Sequence, residues 1–186
     1  MLAVMTHGGY EGATIQAIGK AAGLSPGLVH YHFKTKQEVL VALITALTDG
    51  LELRYRARCG DSVEPRVRLD AFIDAHVALG RDADPRAVAA WNVVGAEALR
   101  QSEVRALYRQ ALARNLAEMR ALVRACLLAQ RKVTREAGHI AAALVSAIEG
   151  AYRMASVQPH KLPKGYAAPM LRRTAHSLIA AQQDKP

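Results

Sequence analysis

The 186-residue sequence predicts an all-α fold, and its composition and residue spacing support that prediction. Hydrophobic residues make up 51% of the chain but aromatic residues only 5%, with alanine and leucine predominating. Alanine and leucine favour helices, whereas the β-branched residues that favour strands are few. Apolar residues also recur three and four positions apart along most of the chain, which is the spacing of amphipathic helices.

The first predicted helices are short and have clear end residues. Thr14 is a plausible N-cap for a helix over 14–22, and Gly23 is a plausible stop because glycine easily adopts the left-handed conformation. Ser25 caps a second helix with Pro26 in its first position, where the missing N–H is not needed. Residues 35–38, Thr-Lys-Gln-Glu, form a capping box that opens a much longer third helix.

The rest of the chain is predicted to be a series of longer helices. Helix starts are expected at Pro65, at Asp84-Pro85, at Ser102, at Thr134 and near Met170. A loop is expected over 159–169, which contains Pro159, Pro163, Gly165 and Pro169.

The net charge of +9 favours a polyanionic partner such as nucleic acid, without locating its binding site.

Cys59 and Cys126 are far apart and lack a C-x-x-C partner, which is typical of reduced thiols rather than of a disulfide framework or a metal site. The N-terminus has no basic region of the kind that begins a signal peptide, and charged residues interrupt the apolar stretch 140–157. We therefore expect a cytoplasmic protein without a membrane span.

Residues 14–34, TIQAIGKAAGLSPGLVHYHFK, are predicted to form a helix-turn-helix. Ile18, Val29 and Phe33 would face inward, and Gly19 would lie where the two helices cross. The residues left facing outward are Ser25, Pro26, Gly27, Leu28, His30 and Tyr31. A recognition helix needs this division between a buried face and a face that enters the major groove.

The run G-Y-E-G-A-T-I-x-x-I-G-x-x-A-G-L-S-P-G-L-V-H-Y-H-F-K-T-K-Q-E-V-L, over 9–40, resembles the N-terminal DNA-binding domain of the TetR family of repressors. The resemblance implies a DNA-binding domain over 1–38 and a helical effector-binding and dimerisation domain over 39–186. Three later segments, A-W-N-V-V-G-A-E-A, L-Y-R-Q and I-E-G-A-Y-R, resemble the branch that includes the choline-sensing betaine repressor. The implied function is repression at a near-palindromic operator, relieved by a small-molecule effector.

The resemblance also implies roles for individual residues at the DNA. Thr14 and Lys36 would bind phosphates, and Tyr31 would do so through its hydroxyl. Ser25, Pro26, Gly27, Leu28 and His30 would face the groove. His30 is the best candidate for contacting a base edge, the alternative being a solvent-exposed residue without that role. His32 is expected to pack against the protein.

The sequence departs from the family pattern at the first helix, because only about residues 2–6 precede Gly8-Gly9. A full first helix supplies one wall of the small core. We therefore expect Ile18, Val29 and Phe33 to be partly exposed and operator binding to be weak.

In the larger domain, polar groups on apolar faces are candidates for an effector pocket, since burying them without a partner is costly. These candidates are His76, Trp91, Tyr108, Asn115, Glu149 and Tyr152. A carboxylate among aromatic rings would suit a cationic ligand. The alternative is an ordinary core in which these groups hydrogen-bond between helices.

By resemblance, two copies of the helices over 134–157 and 169–183 form the interface of a homodimer. Ala143, Ala147 and Gly150 would permit close approach, although packing within one chain explains them equally well.

No metal site, cofactor or enzymatic activity is expected. His30 and His32 point about 200° apart on a helix, so they would not share a metal ion. The sequence contains no G-x-S-x-G, H-E-x-x-H, P-loop or dinucleotide-binding glycine motif. An enzyme and a helical protein-binding module without DNA affinity are the alternative functions.

Overall fold

Nine α-helices account for the regular structure of residues 1–78, 85–157 and 160–185, the part of the chain that this computed structural model describes. They are α1 (Leu2–Gly12), α2 (Ile15–Ala22), α3 (Pro26–His32), α4 (Lys36–Cys59), α5 (Pro65–Val77), α6 (Pro85–Ala98), α7 (Ser102–Ala129), α8 (Ala137–Val157) and α9 (Ala167–Ala180). The all-α prediction is confirmed. Asp84 and Pro159, which figure in the predicted helix start and loop, lie outside the described residues.

Side-chain caps begin the short helices where the sequence predicts them. The Thr14 hydroxyl accepts a hydrogen bond from the Ala17 N–H at 3.1 Å, and the Ser25 hydroxyl accepts one from the Leu28 N–H at 3.2 Å. At the start of α4 the Thr35 hydroxyl accepts from the Glu38 N–H at 3.2 Å. The Glu38 carboxylate accepts from the N–H of Lys34 rather than that of Thr35, so only half of the predicted capping box forms.

Two later helices begin at residues that the sequence does not predict. Helix α8 begins at Ala137 instead of Thr134, because the Ala137 N–H bonds to the Thr134 carbonyl in a preceding turn. Helix α9 begins at Ala167, three residues before the predicted Met170. Pro169 falls in the first turn of α9, where a backbone N–H has no partner within the helix, and it therefore does not delay the start.

The described helices group into two compact units. Unit 1 consists of Met1–Asp49 and Pro85–Ala111, and unit 2 of Gly50–Asp84 and Leu112–Pro186. These units are defined by packing. The division at residue 38 into a DNA-binding and an effector domain concerns function and stays a prediction.

Unit 1 contains the helix-turn-helix and a first helix that braces it. Helix α1 packs against both α2 and α6, although Gly9 breaks its helical backbone with a φ of 62°. Met5 and Tyr10 of α1 are 3% and 2% exposed. Ile18 and Val29 are each only 5% exposed, so the expectation that they are partly exposed is wrong. The few residues before the glycines suffice to form a wall of this core, and only Phe33 is half-buried as expected.

Unit 2 is built around α5, α8 and α9, which pack against one another. Leu69, Ile73, Leu127, Leu144 and Ile179 are almost completely buried in its core. Two polar pairs join α9 to α5: Arg172 with Asp74 at 2.6 Å, and His176 with Asp70 at 2.7 Å.

Helix α8 is, within the described ranges, long and apolar enough to cross a membrane by length and composition alone. Core helices of soluble proteins share this property. Ile140, Leu144 and Ile148 of α8 are buried in unit 2, while much of its remaining surface is exposed.

Candidate DNA-binding interface and effector residues

Helices α2 and α3 cross at Gly19. A Cβ atom at this residue would lie 3.1 Å from the Leu24 carbonyl oxygen and 3.4 Å from Cγ2 of Val29. Gly23 turns the chain between the helices with a left-handed φ of 68°. The helices therefore approach closely at position 19, as the sequence predicts, and a larger side chain there would force the Leu24 carbonyl to shift by a few tenths of an ångström.

Helix α3 presents one continuous exposed face. Of residues 25–32 only Val29 is buried, and Tyr31 and Leu28 are 75% and 45% exposed. We call the following residues the recognition face: Ser25, Pro26, Gly27, Leu28, His30 and Tyr31. No atom lies within 4 Å of the position that a Cβ would take at Gly27, so another molecule has room to approach the backbone there.

The two residues expected to hold phosphates are differently placed. The exposed Thr14 lies at the N-terminus of α2, where its hydroxyl caps the helix. The Lys36 ammonium lies 4.3 Å from the centroid of the Tyr10 ring and donates to the Tyr10 carbonyl at 3.4 Å. Its distance to the Glu11 carboxylate is 3.9 Å. Tyr10 and Glu11 thus hold the Lys36 ammonium in place without DNA. Its contact with a phosphate stays a prediction.

His32 was expected to pack against the protein, but it is exposed at the end of α3. Its ring lies edge-on to that of Tyr31 with the centroids 5.1 Å apart. The inward position at this end of α3 is instead taken by the next residue, Phe33, which is half-buried.

Charge is distributed unevenly along the chain. Residues 1–49 carry three lysines (Lys20, Lys34, Lys36) and three acidic residues (Glu11, Glu38, Asp49). This segment is therefore neutral, and the whole net charge of +9 belongs to residues 50–186. Any affinity of α3 for DNA has to come from local placement of groups rather than from the net charge of its segment.

The predicted effector residues fall into two groups. Trp91 and Tyr108 belong to unit 1, where their ring centroids are 4.8 Å apart. In unit 2 the buried His76 stacks on Tyr152 with the centroids 6.4 Å apart. Asn115 and Glu149 are half-buried residues of unit 2.

His76 is held neutral by its surroundings. Burial lowers its pKa from 6.5 to about 4, and the nearby Arg54 lowers it further, against the opposing effect of a backbone hydrogen bond. The neutral ring donates from Nδ1 to the Phe72 carbonyl at 2.8 Å. This bond satisfies one nitrogen of the ring within α5, so it is not the hydrogen bond between helices that the alternative of an ordinary core predicts.

A surface cleft of about 280 Å³ lies elsewhere in unit 2, and Tyr55, Cys59 and Arg68 are among its lining residues. None of the six predicted effector residues lines it. Among residues 1–78, 85–157 and 160–185, no group of three or more His, Cys, Asp or Glu side chains could hold a metal ion.

Comparison with known families accounts for most of the chain. Residues 2–43 match the family of bacterial regulatory proteins of the tetR type, and residues 65–180 match the C-terminal domain of BetI-type transcriptional repressors. The protein belongs to the TetR family of bacterial transcriptional regulators. Within that family its C-terminal match places it in the BetI-type branch.

Individual relatives agree with this assignment. The regulator BetI of Agrobacterium fabrum is 33% identical over 155 residues, covering 81% of this chain and 70% of that protein. BetI of Rhizobium meliloti is 35% identical over 106 residues, covering 57% of this chain and 52% of the relative. The matched segment thus spans about half the length of the Rhizobium protein.

Solved structures share the fold. A transcriptional regulator from Rhodococcus sp. Rha1 has a TM-score of 0.77 at 24% identity, over 100% of this chain and 95% of that one. A regulator from Saccharomonospora viridis, solved in complex with choline, has a TM-score of 0.71 at 20% identity, over 97% and 91% of the two chains.

Proposed function

We propose that the protein represses transcription by placing the recognition face of α3 in the major groove of operator DNA. The exposed row of side chains on α3, with only Val29 turned inward, is the observation that carries this proposal. Ser25, Pro26, Gly27, Leu28 and His30 would face the bases, and the Tyr31 hydroxyl would bind a phosphate. Thr14 and Lys36 would bind phosphates beside the groove.

The protein acts in this proposal as a homodimer in the cytoplasm. Ala143, Ala147 and Gly150 are exposed on α8, and their spacing of four and three residues places them on one side of the helix. Met154 continues this row and is 45% exposed. We call these four residues the α8 face. Small residues allow two helices to approach closely, so the face suits a second copy of the chain across a two-fold axis.

Selection from a pool of random DNA duplexes tests operator binding. The full chain is expected to enrich a near-palindrome whose half-sites lie about 10 base pairs apart, or a multiple of that distance. Affinity for the selected duplex should fall steeply as salt rises. A pool that shows no enrichment would contradict the proposal. The affinity itself tests the separate expectation of weak binding, which nanomolar binding would overturn.

The effector proposed for this protein is a small organic cation of the quaternary ammonium class. The BetI-type C-terminal match and the choline complex of the Saccharomonospora regulator support this class. In this chain, Glu149, the stacked His76 and Tyr152, and Asn115 are the candidate ligand groups of unit 2. Trp91 and Tyr108 are those of unit 1. Aromatic faces and a carboxylate together attract a cation with a hydrophobic surface.

Choline and its neutral carbon isostere, 3,3-dimethyl-1-butanol, separate a cation site from a merely apolar one. Choline is expected to raise the melting temperature, to change Trp91 fluorescence and to release the selected duplex, while the isostere does little. Glu149→Gln should weaken the response to choline. Equal responses to both compounds, or none, would contradict the proposed effector class without bearing on DNA binding.

A further inference from the structure

Tyr10 links the end of α1 to two acidic residues of α6 and α7. The left-handed backbone at Gly9 breaks the helix, and the Tyr10 N–H donates to the Glu97 carboxylate at 3.2 Å. The Tyr10 hydroxyl donates to the Glu103 carboxylate at 3.3 Å. All of these residues belong to unit 1. Tyr10 itself is only 2% exposed, so these two carboxylates fix a buried residue from two directions.

Tyr10 also contacts Lys36 and Ala13, which are, respectively, one of the expected phosphate-binding residues and the neighbour of the other. Lys36, the first residue of α4, covers the Tyr10 ring and donates to its carbonyl oxygen. The same carbonyl accepts the N–H of the fully buried Ala13 at 3.1 Å, directly before the cap residue Thr14. A displacement of Tyr10 would therefore move both expected phosphate-binding residues, Lys36 and Thr14.

The protonation state of Tyr10 favours this arrangement. Burial, with the neighbouring Glu103 as the next cause, raises its pKa to about 12. The hydroxyl therefore stays protonated near neutral pH and remains a donor. Charge alone predicts the opposite role for the two glutamates, because a carboxylate close to a DNA-binding segment repels phosphate.

We propose that Glu97 and Glu103 are positioning residues for operator binding: by holding Tyr10, they set the positions of Lys36 and of the start of α2. This inference rests on the proposed operator binding. The two effects of removing a glutamate have opposite signs. Loss of repulsion strengthens binding to any DNA, whereas loss of positioning weakens binding to the operator.

Alanine and glutamine substitutions at these positions separate the two effects. Glu97→Ala and Glu103→Ala remove the hydrogen-bond acceptor, whereas Glu97→Gln and Glu103→Gln remove the charge but keep an acceptor oxygen. Each alanine variant should bind the selected operator about five- to tenfold more weakly than the unmodified chain. The glutamine variants should bind within about twofold of it. Glu64→Ala is the matched control, since Glu64 is exposed and makes no side-chain capping bond.

Tyr10→Phe adds a test of the specific contact. It removes the hydroxyl bond to Glu103 and leaves the ring under Lys36. In the Tyr10→Phe background, Glu103→Ala should cause no further loss of operator affinity, because the contact is already absent. An additive loss would show that Glu103 acts through something other than Tyr10 and would overturn its part of the proposal.

Binding by the unmodified chain distinguishes a failure of operator binding from a failure of the positioning role. If the unmodified chain does not select an operator, operator binding itself fails. If it binds and the alanine variants bind equally well or more tightly, the positioning role fails. Thermal unfolding is measured for every variant. If an alanine variant does not fold, the glutamine variants and the single substitution Tyr10→Phe decide. Tyr10→Phe should weaken operator binding while the glutamine variants bind within about twofold of the unmodified chain. Tyr10→Phe binding as tightly as the unmodified chain, or glutamine variants binding much more weakly than it, would overturn the positioning role.

Discussion

Helices α3 and α8 each bury one face and expose the other, but their exposed faces differ in kind. The recognition face of α3 carries polar, aromatic and apolar side chains around one glycine, from the N-cap almost to the end of a seven-residue helix. The α8 face carries three residues no larger than alanine, followed by Met154, on a helix of 21 residues. The recognition face offers hydrogen-bonding groups, whereas the small residues of the α8 face allow another helix to approach closely.

This difference agrees with the partner proposed for each surface. Base edges and phosphates are recognised by donors, acceptors and apolar contacts of defined shape, which the recognition face supplies. A second copy of α8 would pack closely against a row of small side chains, and the α8 face provides such a row. The segment that carries α3, residues 1–49, is neutral, and all of the chain's arginines lie beyond it.

The largest expected effect comes from placing a charge on the α8 face. Ala147→Glu would bring two carboxylates together across the two-fold axis, and like charges in an interface cost several kcal/mol. The dimer dissociation constant should rise by about 100-fold or more. Sedimentation velocity at micromolar concentration measures it. Ala121→Glu, on an exposed position of α7, is the control and should leave the dimer intact. Equal behaviour of the two variants would exclude the α8 face as the interface.

The free energy of unfolding should depend on pH through His76, a buried residue of α5 that stacks on Tyr152 of α8. The unfolded chain protonates His76 near its ordinary pKa of 6.5, whereas the folded chain does so only near about 4. Between these values the unfolded state binds the extra proton, so stability falls as the pH falls, by up to about 3 kcal/mol. Urea unfolding at about pH 7 and about pH 4.5 measures this loss. The loss should be smaller in His76→Phe, and an identical loss would contradict the assignment to His76.

Gly27→Leu should separate DNA binding from stability on α3. The space beside Gly27 is open, and leucine favours a helix over glycine by up to about 1 kcal/mol, so the variant should be as stable as the unmodified chain or more so. Its side chain would block the backbone from the groove and weaken operator binding by about 10- to 100-fold. Gly8→Leu, at another open glycine on a helix, is the matched control. Unchanged affinity of Gly27→Leu would argue against groove contact at this residue.

The smallest expected effect is a change of specificity at one base pair. His30→Ala should lose about 1 to 3 kcal/mol of discrimination at the position that His30 contacts, and little elsewhere in the operator. Binding to single-base variants of the selected duplex measures this. His32→Ala should leave the pattern of base preference unchanged. A uniform loss over all duplexes would instead assign His30 to phosphate binding.

The local features of this fold could be predicted from the sequence. A cap such as Thr14 or Ser25 bonds to an N–H three residues away, and the stop at Gly23 depends on its own backbone conformation. Gly19 was predictable because a known helix crossing requires a small residue there. The recognition face followed from assigning Val29 and Phe33 to the inner side of the second helix.

Longer-range features could not be predicted, because their partners are distant in sequence. Glu97 and Glu103 bond to Tyr10 across 87 and 93 residues, and no spacing rule connects such positions. The burial of Ile18 and Val29 depended on how well a short α1 packs, which its length does not determine. The early start of α9 was missed because Pro169 suggested a loop, although proline is tolerated in a first turn.

The close crossing at Gly19 has a consequence for how operator preference could change over evolution. Helix α3 contacts α2 on one side, where Val29 lies beside Gly19, and the exposed residues Gly27, Leu28 and His30 are not at that crossing. Substitutions at positions 27, 28 or 30 are therefore nearly free of a stability penalty. A duplicated copy of the gene could acquire a new target sequence by single steps, each of which leaves a folded protein.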